Sequence, residues 1–166
     1  MSPGRRETER KKALMLKRRM TIWGISLFVF LFDQLTKQLI QKEMLLGESQ
    51  RVLGELIRLT YIRNPNAVFG ISLGKGWVFL IFSFLAIAAI IYFYLKLKRQ
   101  TSFIFLVGLS LIFGGAIGNF CDRLFFGEVV DFIDVGIGHH RWPIFNVADS
   151  AVTIGIILIF WENFRK

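Results

Sequence analysis

The sequence predicts an all-α integral membrane protein with four transmembrane helices, a small extracytoplasmic β-structure and an interfacial segment. Hydrophobic residues make up 54% of the 166 residues and charged residues only 20%, a composition more apolar than soluble domains usually have. A helix needs about 20 apolar residues to cross the hydrocarbon core of a bilayer. Four apolar runs approach this length, at about 20–40, 77–95, 102–120 and 144–161.

The net charge of +9 is concentrated next to the apolar runs. Basic residues fill the segment 1–19, recur at 96–99 and end the chain at 165–166. Because loops rich in Lys and Arg stay in the cytoplasm, we expect both termini and the 96–101 loop there. The segment 1–19 is then a basic tail that is mobile or lies on the membrane. No aromatic residues are interleaved with the basic ones, so no nucleic-acid partner is expected.

Span 1 carries Asp33 and Lys37 four residues apart, so both lie on one face of a helix. Two interpretations stay open. In the first, they form a structural ion pair near the interface, with the Lys37 amine reaching towards water. In the second, both face the protein interior and support a functional site, because a charge inside the bilayer is costly without a partner.

The segment after span 1 differs from the spans. LIRLTYIR, at 56–63, alternates apolar and polar residues as a half-buried strand does, and we expect a β-structure at about 51–73 on the outer surface. Pro65 keeps Asn64 extended, and Asn66 is a residue that tolerates positive φ in a turn. Span 2 has no side chain that is charged at neutral pH, and we expect it to serve as scaffold.

Span 3 contains Gly114 and Gly118, a small-xxx-small pair that lets another helix approach closely. Asp122 and Arg123 follow directly. We expect them either to form an ion pair that closes the helix end or to leave Arg123 as a fixed cation. The segment 121–143 alternates bulky apolar residues with acids and is expected to be interfacial.

Near the outer end of span 4, Asn146 and Asp149 lie one turn apart on one face. If this helix begins near Pro143, Asp149 is about two turns into it. Asp131, on the preceding interfacial segment, is then close enough to fold back over it. A carboxylate at the edge of a bilayer is costly unless it is paired, hydrated or neutralised, so we take these acids as the main indication of function.

Two carboxyl groups that share one site cannot both ionise cheaply, so one of them keeps its proton. Asp131 and Asp149 together then supply one acid and one base at neutral pH. The base can activate water, while the acid polarises a peptide carbonyl and later protonates the leaving amine. This is the chemistry of aspartic proteases. It needs no metal and no cofactor, and we expect neither.

Other chemistries have less support. A serine nucleophile needs a positioned base, and the histidines, His139 and His140, are adjacent on a Gly-flanked loop that we expect to be solvated or at the lipid headgroups. Adjacent histidines match no usual zinc spacing, and Cys121 is expected to be a small buried residue. A proton- or cation-coupled transporter also uses paired intramembrane acids and remains the alternative. Four spans without an internal repeat leave it little room for alternating access.

Five motifs follow one another along the chain: DQLTK at 33–37, NPNAVFG at 64–70, GGAIGNFCDR at 114–123, VVDF at 129–132 and FNVAD at 145–149. With this order and spacing the chain, over about 22–162, resembles lipoprotein signal peptidase, the type II signal peptidase of bacteria. The resemblance implies a four-span protease of the bacterial inner membrane that cleaves prolipoproteins just before a diacylglyceryl-modified Cys. We expect a monomer surrounded by membrane lipids, with its active site near the outer leaflet.

Motif by motif, the resemblance implies that Asp131 and Asp149 are the catalytic pair. Residues that support this pair or bind substrate fall on Asp33, Lys37, Asn64, Asn119, Asp122, Arg123 and Asn146. Asp134 matches no fixed position of the family. In the second motif, Asn66 stands where the family usually has Gly and Val68 where it has a small residue, which affects the expected shape of the substrate-covering loop.

Overall fold

The computed structural model describes residues 3–65, 77–96 and 101–165. In this part of the chain, four helices alternate with the strands of a small sheet. The helices are α1 (Pro3–Glu43), α2 (Trp77–Leu95), α3 (Phe103–Phe126) and α4 (Val147–Phe164). The strands are β1 (Ser49–Leu53), β2 (Ile57–Asn64), β3 (Val129–Ile137) and β4 (His140–Arg141). The fold is mainly helical, and the sheet lies at one end of the helices.

Three of these helices are long and apolar enough to cross a membrane, namely Val78–Leu95, Phe103–Phe126 and Val147–Phe164. The predicted span at 77–95 coincides with α2. The apolar part of α1 is interrupted by Asp33 and Lys37, and α1 is not among the three. The count of four spans therefore stays a prediction.

The basic segment at 1–19, predicted as a mobile or surface-lying tail, has regular secondary structure. From Pro3 onwards it is helical and continuous with the rest of α1. It is rich in Arg, Lys, Glu, Ala and Leu, which favour helices, and an ion pair one turn apart joins Glu7 and Lys11. Its position in the cytoplasm stays a prediction, and the basic residues at 98–99 lie outside the described residues.

The third helix is longer than the predicted span at 102–120. It continues to Phe126, so Asp122 and Arg123 lie within it rather than beyond its end. The helix ends at Gly127, which adopts a left-handed conformation with φ 75° and donates its backbone N–H to the Arg123 carbonyl. A helix end of this kind is set by a glycine that tolerates positive φ, whereas charged residues alone do not stop a helix.

The sheet is larger than the predicted β-structure at 51–73. Its strand order is β1-β2-β3-β4 with antiparallel pairing throughout. Strands β3 and β4, within the segment 121–143, join this sheet, and the interfacial position of that segment stays a prediction. The sequence VVDFIDV, at 129–135, is rich in β-branched and aromatic residues, which favour strands. Residues 66–73 lie outside the described residues.

Helix α3 lies between α1 and α4 and approaches both closely through glycines, as the small-xxx-small pair predicts. A Cβ atom at Gly114 would lie 2.6 Å from the carbonyl oxygen of Ser26 on α1. At Gly115 it would lie 2.4 Å from the carbonyl oxygen of Ala148 on α4. Gly118 contacts a side chain of α1 in the same way. The glycines therefore allow three helices to pack at backbone distance beside the sheet.

A small hydrophobic core joins the sheet to the end of α1. It comprises Ile40 from α1, Met44 directly after α1, Tyr61 from β2, and Val130 and Phe132 from β3. All five are nearly inaccessible to solvent. This core holds β3, which carries one of the predicted catalytic acids, against the helices.

Candidate active site

Asp131 lies on β3 and is 2% exposed. In the antiparallel register with β2, Ile62 is opposite Asp131 and Asn64 is opposite Val129. Asn64 is therefore the diagonal neighbour of Asp131 on the same face of the sheet. Its amide Nδ2 donates a 2.8 Å hydrogen bond to Asp131 Oδ2. The pairing of two strands thus brings two of the predicted site residues together.

Asp149 lies in the first turn of α4, not two turns into it as expected. The helix begins at Val147, and Asn146 is its N-cap residue. The Asp149 N–H donates to Asn146 Oδ1 over 2.9 Å, and the Asn146 N–H donates to Asp149 Oδ2 over 3.2 Å. This is a capping box, with a carboxylate at the third helical position. The sequence Asn-Val-Ala-Asp at 146–149 contains the signal that would have placed the helix start correctly.

Two asparagine amides link the two acids. The Nδ2 group of Asn146 donates to Asp131 Oδ1 over 2.7 Å and to Asn119 Oδ1 over 3.1 Å. The Nδ2 group of Asn119 in turn donates to Asp149 Oδ1 over 2.8 Å. Asn146 is fully buried, and a bridge between β3 and Phe145 holds it beside Asp131. Asp131 and Asp149 are therefore parts of one hydrogen-bonded network.

A buried ion-pair cluster lies beneath this network. Lys37 Nζ is 2.8 Å from Asp33 Oδ2 and 2.8 Å from Asp122 Oδ2, and all three side chains are at most 3% exposed. Lys37 also donates a 2.9 Å hydrogen bond to Asn119 Oδ1, and the Ala148 N–H donates to Asp33 Oδ1 over 2.9 Å. The structure agrees with the second interpretation of span 1, in which Asp33 and Lys37 face the protein interior. The Lys37 amine does not reach towards water.

Asp122 and Arg123 do not form the ion pair that would close a helix end. Asp122 points to Lys37, and it also accepts a 3.3 Å hydrogen bond from the Val130 N–H at the start of β3. Arg123 Nη1 lies 3.3 Å from the Asn119 carbonyl oxygen and 3.4 Å from Ser83 Oγ on α2. Consecutive residues on a helix point in different directions, so Asp122 contacts α1 whereas Arg123 contacts α2.

Both acids line one cleft. It holds about 330 Å³ of empty space including its open side. The predicted residues along it are Asn64, Asn119, Arg123, Asp131 and Asp149. Its other walls are formed by Val129 and by Trp142, Pro143, Ile144 and Phe145, which precede α4.

Burial raises the pKa of Asp131 to about 7. The hydrogen bonds from Asn64 and Asn146 lower it, because they stabilise the charged carboxylate, and the neighbouring Asp149 carboxylate raises it. Asp131 is thus able to hold a proton at neutral pH. Arg123 and Lys37 are the nearby cations whose charge acts on this pair of acids.

Sequence reasoning missed Gln34, although this residue is inside the first motif. Its Nε2 group lies 2.9 Å from Asp122 Oδ1 and 3.3 Å from both Asp33 Oδ2 and the Gly118 carbonyl oxygen. It thus donates to Asp122 Oδ1, whereas Lys37 contacts Asp122 Oδ2, and it shares Asp33 Oδ2 with Lys37. The position beside Asp33 was the available signal, but nothing local indicates a partner on α3.

The other described candidates lie away from the cleft. Asp134 accepts hydrogen bonds from Thr60 Oγ1 over 2.9 Å and from Arg141 Nε over 2.5 Å, which ties β2, β3 and β4 together. His139 and His140 are exposed. Among the described residues, no group of three or more His, Cys, Asp or Glu side chains is placed to hold a metal ion. Asn66 and Val68 lie outside the described residues.

Comparisons with known proteins agree in pointing to one family. A sequence model of signal peptidase (SPase) II matches residues 25–165. Lipoprotein signal peptidases of Staphylococcus aureus strains JH9 and Newman are each 45% identical over 135 residues, which is 81% of this chain and 82% of theirs.

The side chain of Cys121, which the sequence predicts to be buried, is half-buried in the structure.

Two solved structures are also similar. One is a bacterial membrane enzyme solved by the in meso method at 2.3 Å, with a TM-score of 0.80 and 43% identity over 87% of this chain and 88% of that one. The other, solved by the same method at 1.9 Å, has a TM-score of 0.76 and 44% identity over 86% of this chain and 91% of that one. At this identity the likeness extends to the sequence as well as to the fold.

Proposed function

Because the chain belongs to the signal peptidase II family, we propose that it is an aspartic endopeptidase of the bacterial membrane. In this proposal it removes the signal peptide from diacylglyceryl-modified prolipoproteins and cleaves on the N-terminal side of the lipidated Cys. The observation that carries the proposal is the placement of Asp131 and Asp149 along one cleft. The amides of Asn119 and Asn146 connect the two carboxylates.

The two acids have different surroundings, which supports different roles. The pKa of Asp131 is raised to about 7 by burial, so we assign it as the acid that holds the shared proton. Asp149 is at the N-terminus of α4, where the helix dipole favours a negative charge, and it accepts hydrogen bonds from Asn119 Nδ2 and the Asn146 N–H. We assign it as the base.

The proposed reaction follows from these roles. The Asp149 carboxylate takes a proton from a water molecule, and the water oxygen attacks the peptide carbonyl carbon. Asp131 gives its proton to the carbonyl oxygen as the tetrahedral intermediate forms. When the C–N bond breaks, the leaving amine takes up a proton from Asp149, and Asp131 regains its own from the hydroxyl group that re-forms the carbonyl. The products are a carboxyl group on the signal peptide and a free amine on the lipidated Cys.

The surroundings of the cleft suit a lipid-attached substrate. Trp142 is 58% exposed at its wall, and Phe125 and Phe126, at the end of α3, are 72% and 57% exposed. Aromatic side chains of this kind are typical of the membrane interface. A cleft at that depth also has a lower dielectric constant than water, which strengthens the interaction between the acids and the reacting carbonyl.

The proposal is tested with the purified full-length protein in detergent. We expect cleavage of a diacylglyceryl-modified precursor without any ion gradient, and much slower cleavage of the same precursor without its lipid. Chelators should leave the rate unchanged. Equal cleavage of the two precursors would contradict the lipid requirement, and inhibition by a chelator that added zinc reverses would contradict the metal-free mechanism. No cleavage, together with ion flux in liposomes, would favour the transporter alternative.

A further inference from the structure

An apolar groove lies among α1, α2 and α3 near the other end of the helices. It holds about 510 Å³ of empty space, and its walls expose only apolar surface. Its main lining residues are Ile22, Trp23, Ile90, Tyr94, Leu109 and Phe113. Trp23 is one wall, in edge contact with the rings of Tyr94 and Phe113 at centroid distances of 5.6 and 5.5 Å. Trp23 and Lys37 are 14 residues apart on α1, so the groove lies about 21 Å from the ion-pair cluster.

A second cavity continues the groove towards the N-terminus of α1. The two share Ile22, Tyr94 and Leu95, and the second adds Arg18 and Arg19. These arginines precede Ile22 by four and three residues, so they lie one helical turn along the same face of α1. The apolar groove therefore ends at two guanidinium groups.

The charge around this end of the groove is strongly positive. Segment 3–19 contains eight Lys and Arg residues and two Glu residues. Arg19 is exposed, and Arg18 is half-buried and donates to the carbonyl oxygen of Thr101 at the start of the α3 segment. An arginine fork matches the geometry of a phosphate group, to which it can donate two hydrogen bonds. A ligand that fits both parts of this site has an acyl chain joined to a phosphate.

We propose that this groove binds one anionic phospholipid of the cytoplasmic leaflet, with an acyl chain along Trp23 and its phosphate at Arg18 and Arg19. Basic pockets between helices on the cytoplasmic side bind such headgroups in other membrane proteins. Only 6% of the apolar span Val78–Leu95 of α2 is buried within the protein, so α2 has few contacts that fix its position. The lipid then fills the space between α1 and α2 and fixes the position of α2. This inference does not depend on the cleavage reaction.

The test measures lipid retention by the full-length protein with native mass spectrometry in detergent. The probes are dioleoyl phosphatidylglycerol and dioleoyl phosphatidylcholine, which have the same acyl chains. We expect one phosphatidylglycerol to be retained, with an affinity at least about tenfold higher than that for phosphatidylcholine. Excess inorganic phosphate should not displace it. Equal retention of the two lipids would mean that only the acyl chain is recognised, and displacement by phosphate would mean an anion site without lipid; either would overturn the proposal.

Two double variants with the same change in charge locate the site. Arg18→Gln/Arg19→Gln should weaken phosphatidylglycerol binding about tenfold or more, whereas Arg5→Gln/Arg6→Gln, further along α1, should have little effect. Equal weakening by both would mean a diffuse attraction and would contradict a site. A second measurement covers the case that the first variant misfolds. Phosphatidylglycerol with brominated acyl chains should quench the tryptophan fluorescence of the wild-type protein more than that of Trp23→Phe, because Trp23 lines the groove. Equal quenching of the wild-type protein and Trp23→Phe would contradict binding in the groove.

Discussion

Asn146 and Asp149 cap the first turn of α4 reciprocally, each accepting a backbone N–H of the other, over 2.9 and 3.2 Å. The cap fixes the carboxylate of Asp149 through Oδ2 and leaves Oδ1 for Asn119 Nδ2. The amide of Asn146 also holds Asp131. One side chain thus caps the helix and helps to position both acids, so it links the start of α4 to the geometry of the site.

Asn146→Ala should therefore reduce both stability and activity. Loss of an N-cap and of buried hydrogen bonds costs about 1–3 kcal/mol, and misplacement of the acids should lower kcat/KM by about 100-fold. The matched control is Ser102→Ala, because Ser102 caps α3 by accepting the Phe105 N–H over 3.1 Å. It should lower the thermal unfolding midpoint without changing the rate per folded molecule. An equal loss of rate in both variants would mean that Asn146 acts through stability alone.

The rate should depend on pH through the proton on Asp131. Burial raises the pKa of Asp131 to about 7, so kcat/KM should fall as the pH rises through this region and the acid is lost. Asn64→Ala removes a hydrogen bond that lowers this pKa, so the alkaline limb should move to higher pH. Thr60→Val, which removes a hydroxyl from Asp134 on the same strand, is the control. If the alkaline limb of the pH profile does not move in Asn64→Ala, that limb does not report the titration of Asp131.

Two ion pairs within α1 have the same spacing and opposite surroundings. Lys37 and Asp33 are buried, whereas Lys11 and Glu7 are exposed. Lys37→Met leaves the Asp33 and Asp122 carboxylates buried without a cation, which should cost about 3–5 kcal/mol. Lys11→Met should change the unfolding free energy by no more than about 0.5 kcal/mol. Similar midpoints for the two variants in thermal unfolding would show that the buried cluster is not needed for the fold.

The close contact between α3 and α4 makes a prediction about glycines. A Cβ atom at Gly115 would lie 2.4 Å from the Ala148 carbonyl oxygen, whereas one at Gly24 on α1 would meet nothing within 4 Å. Gly115→Ala should push α4 away, cost about 1–3 kcal/mol and slow cleavage, because Asp149 moves with α4. Gly24→Ala should be neutral or stabilise by up to about 1 kcal/mol, since Ala favours a helix. A fully active Gly115→Ala protein would contradict this dependence on packing.

Those parts of the fold that depend on local pattern were predictable. The span at 77–95 coincides with α2. The alternating segment at 56–63 overlaps β2 (Ile57–Asn64) and begins one residue before it. The ends of α3 and α4 were placed wrongly, because a cap decides a helix end. Gly127 and Asn146 supply these caps, whereas neither the charged residues at 122–123 nor Pro143 marks a helix end.

The site could be predicted as a set of residues but not as a network. Asp33 and Lys37 are one turn apart, so their pairing is local. The partner Asp122 is 85 residues beyond Lys37, and the orientation of the Asn119 amide is fixed by contacts with Lys37 and Asn146. The packing of α3 against α1 and α4, which no short stretch of sequence specifies, creates these contacts.

The central claim is that Asp131 and Asp149 together carry out the cleavage. Its most direct test is single-turnover cleavage of a diacylglyceryl-modified precursor by purified Asp131→Asn and Asp149→Asn, with Asp134→Asn as the control, since Asp134 is a buried acid on the same strand as Asp131 but away from the cleft. We predict that the first two variants remain folded and lose cleavage, whereas the control keeps its rate per folded molecule. Cleavage at the wild-type rate by either of the first two would contradict the claim.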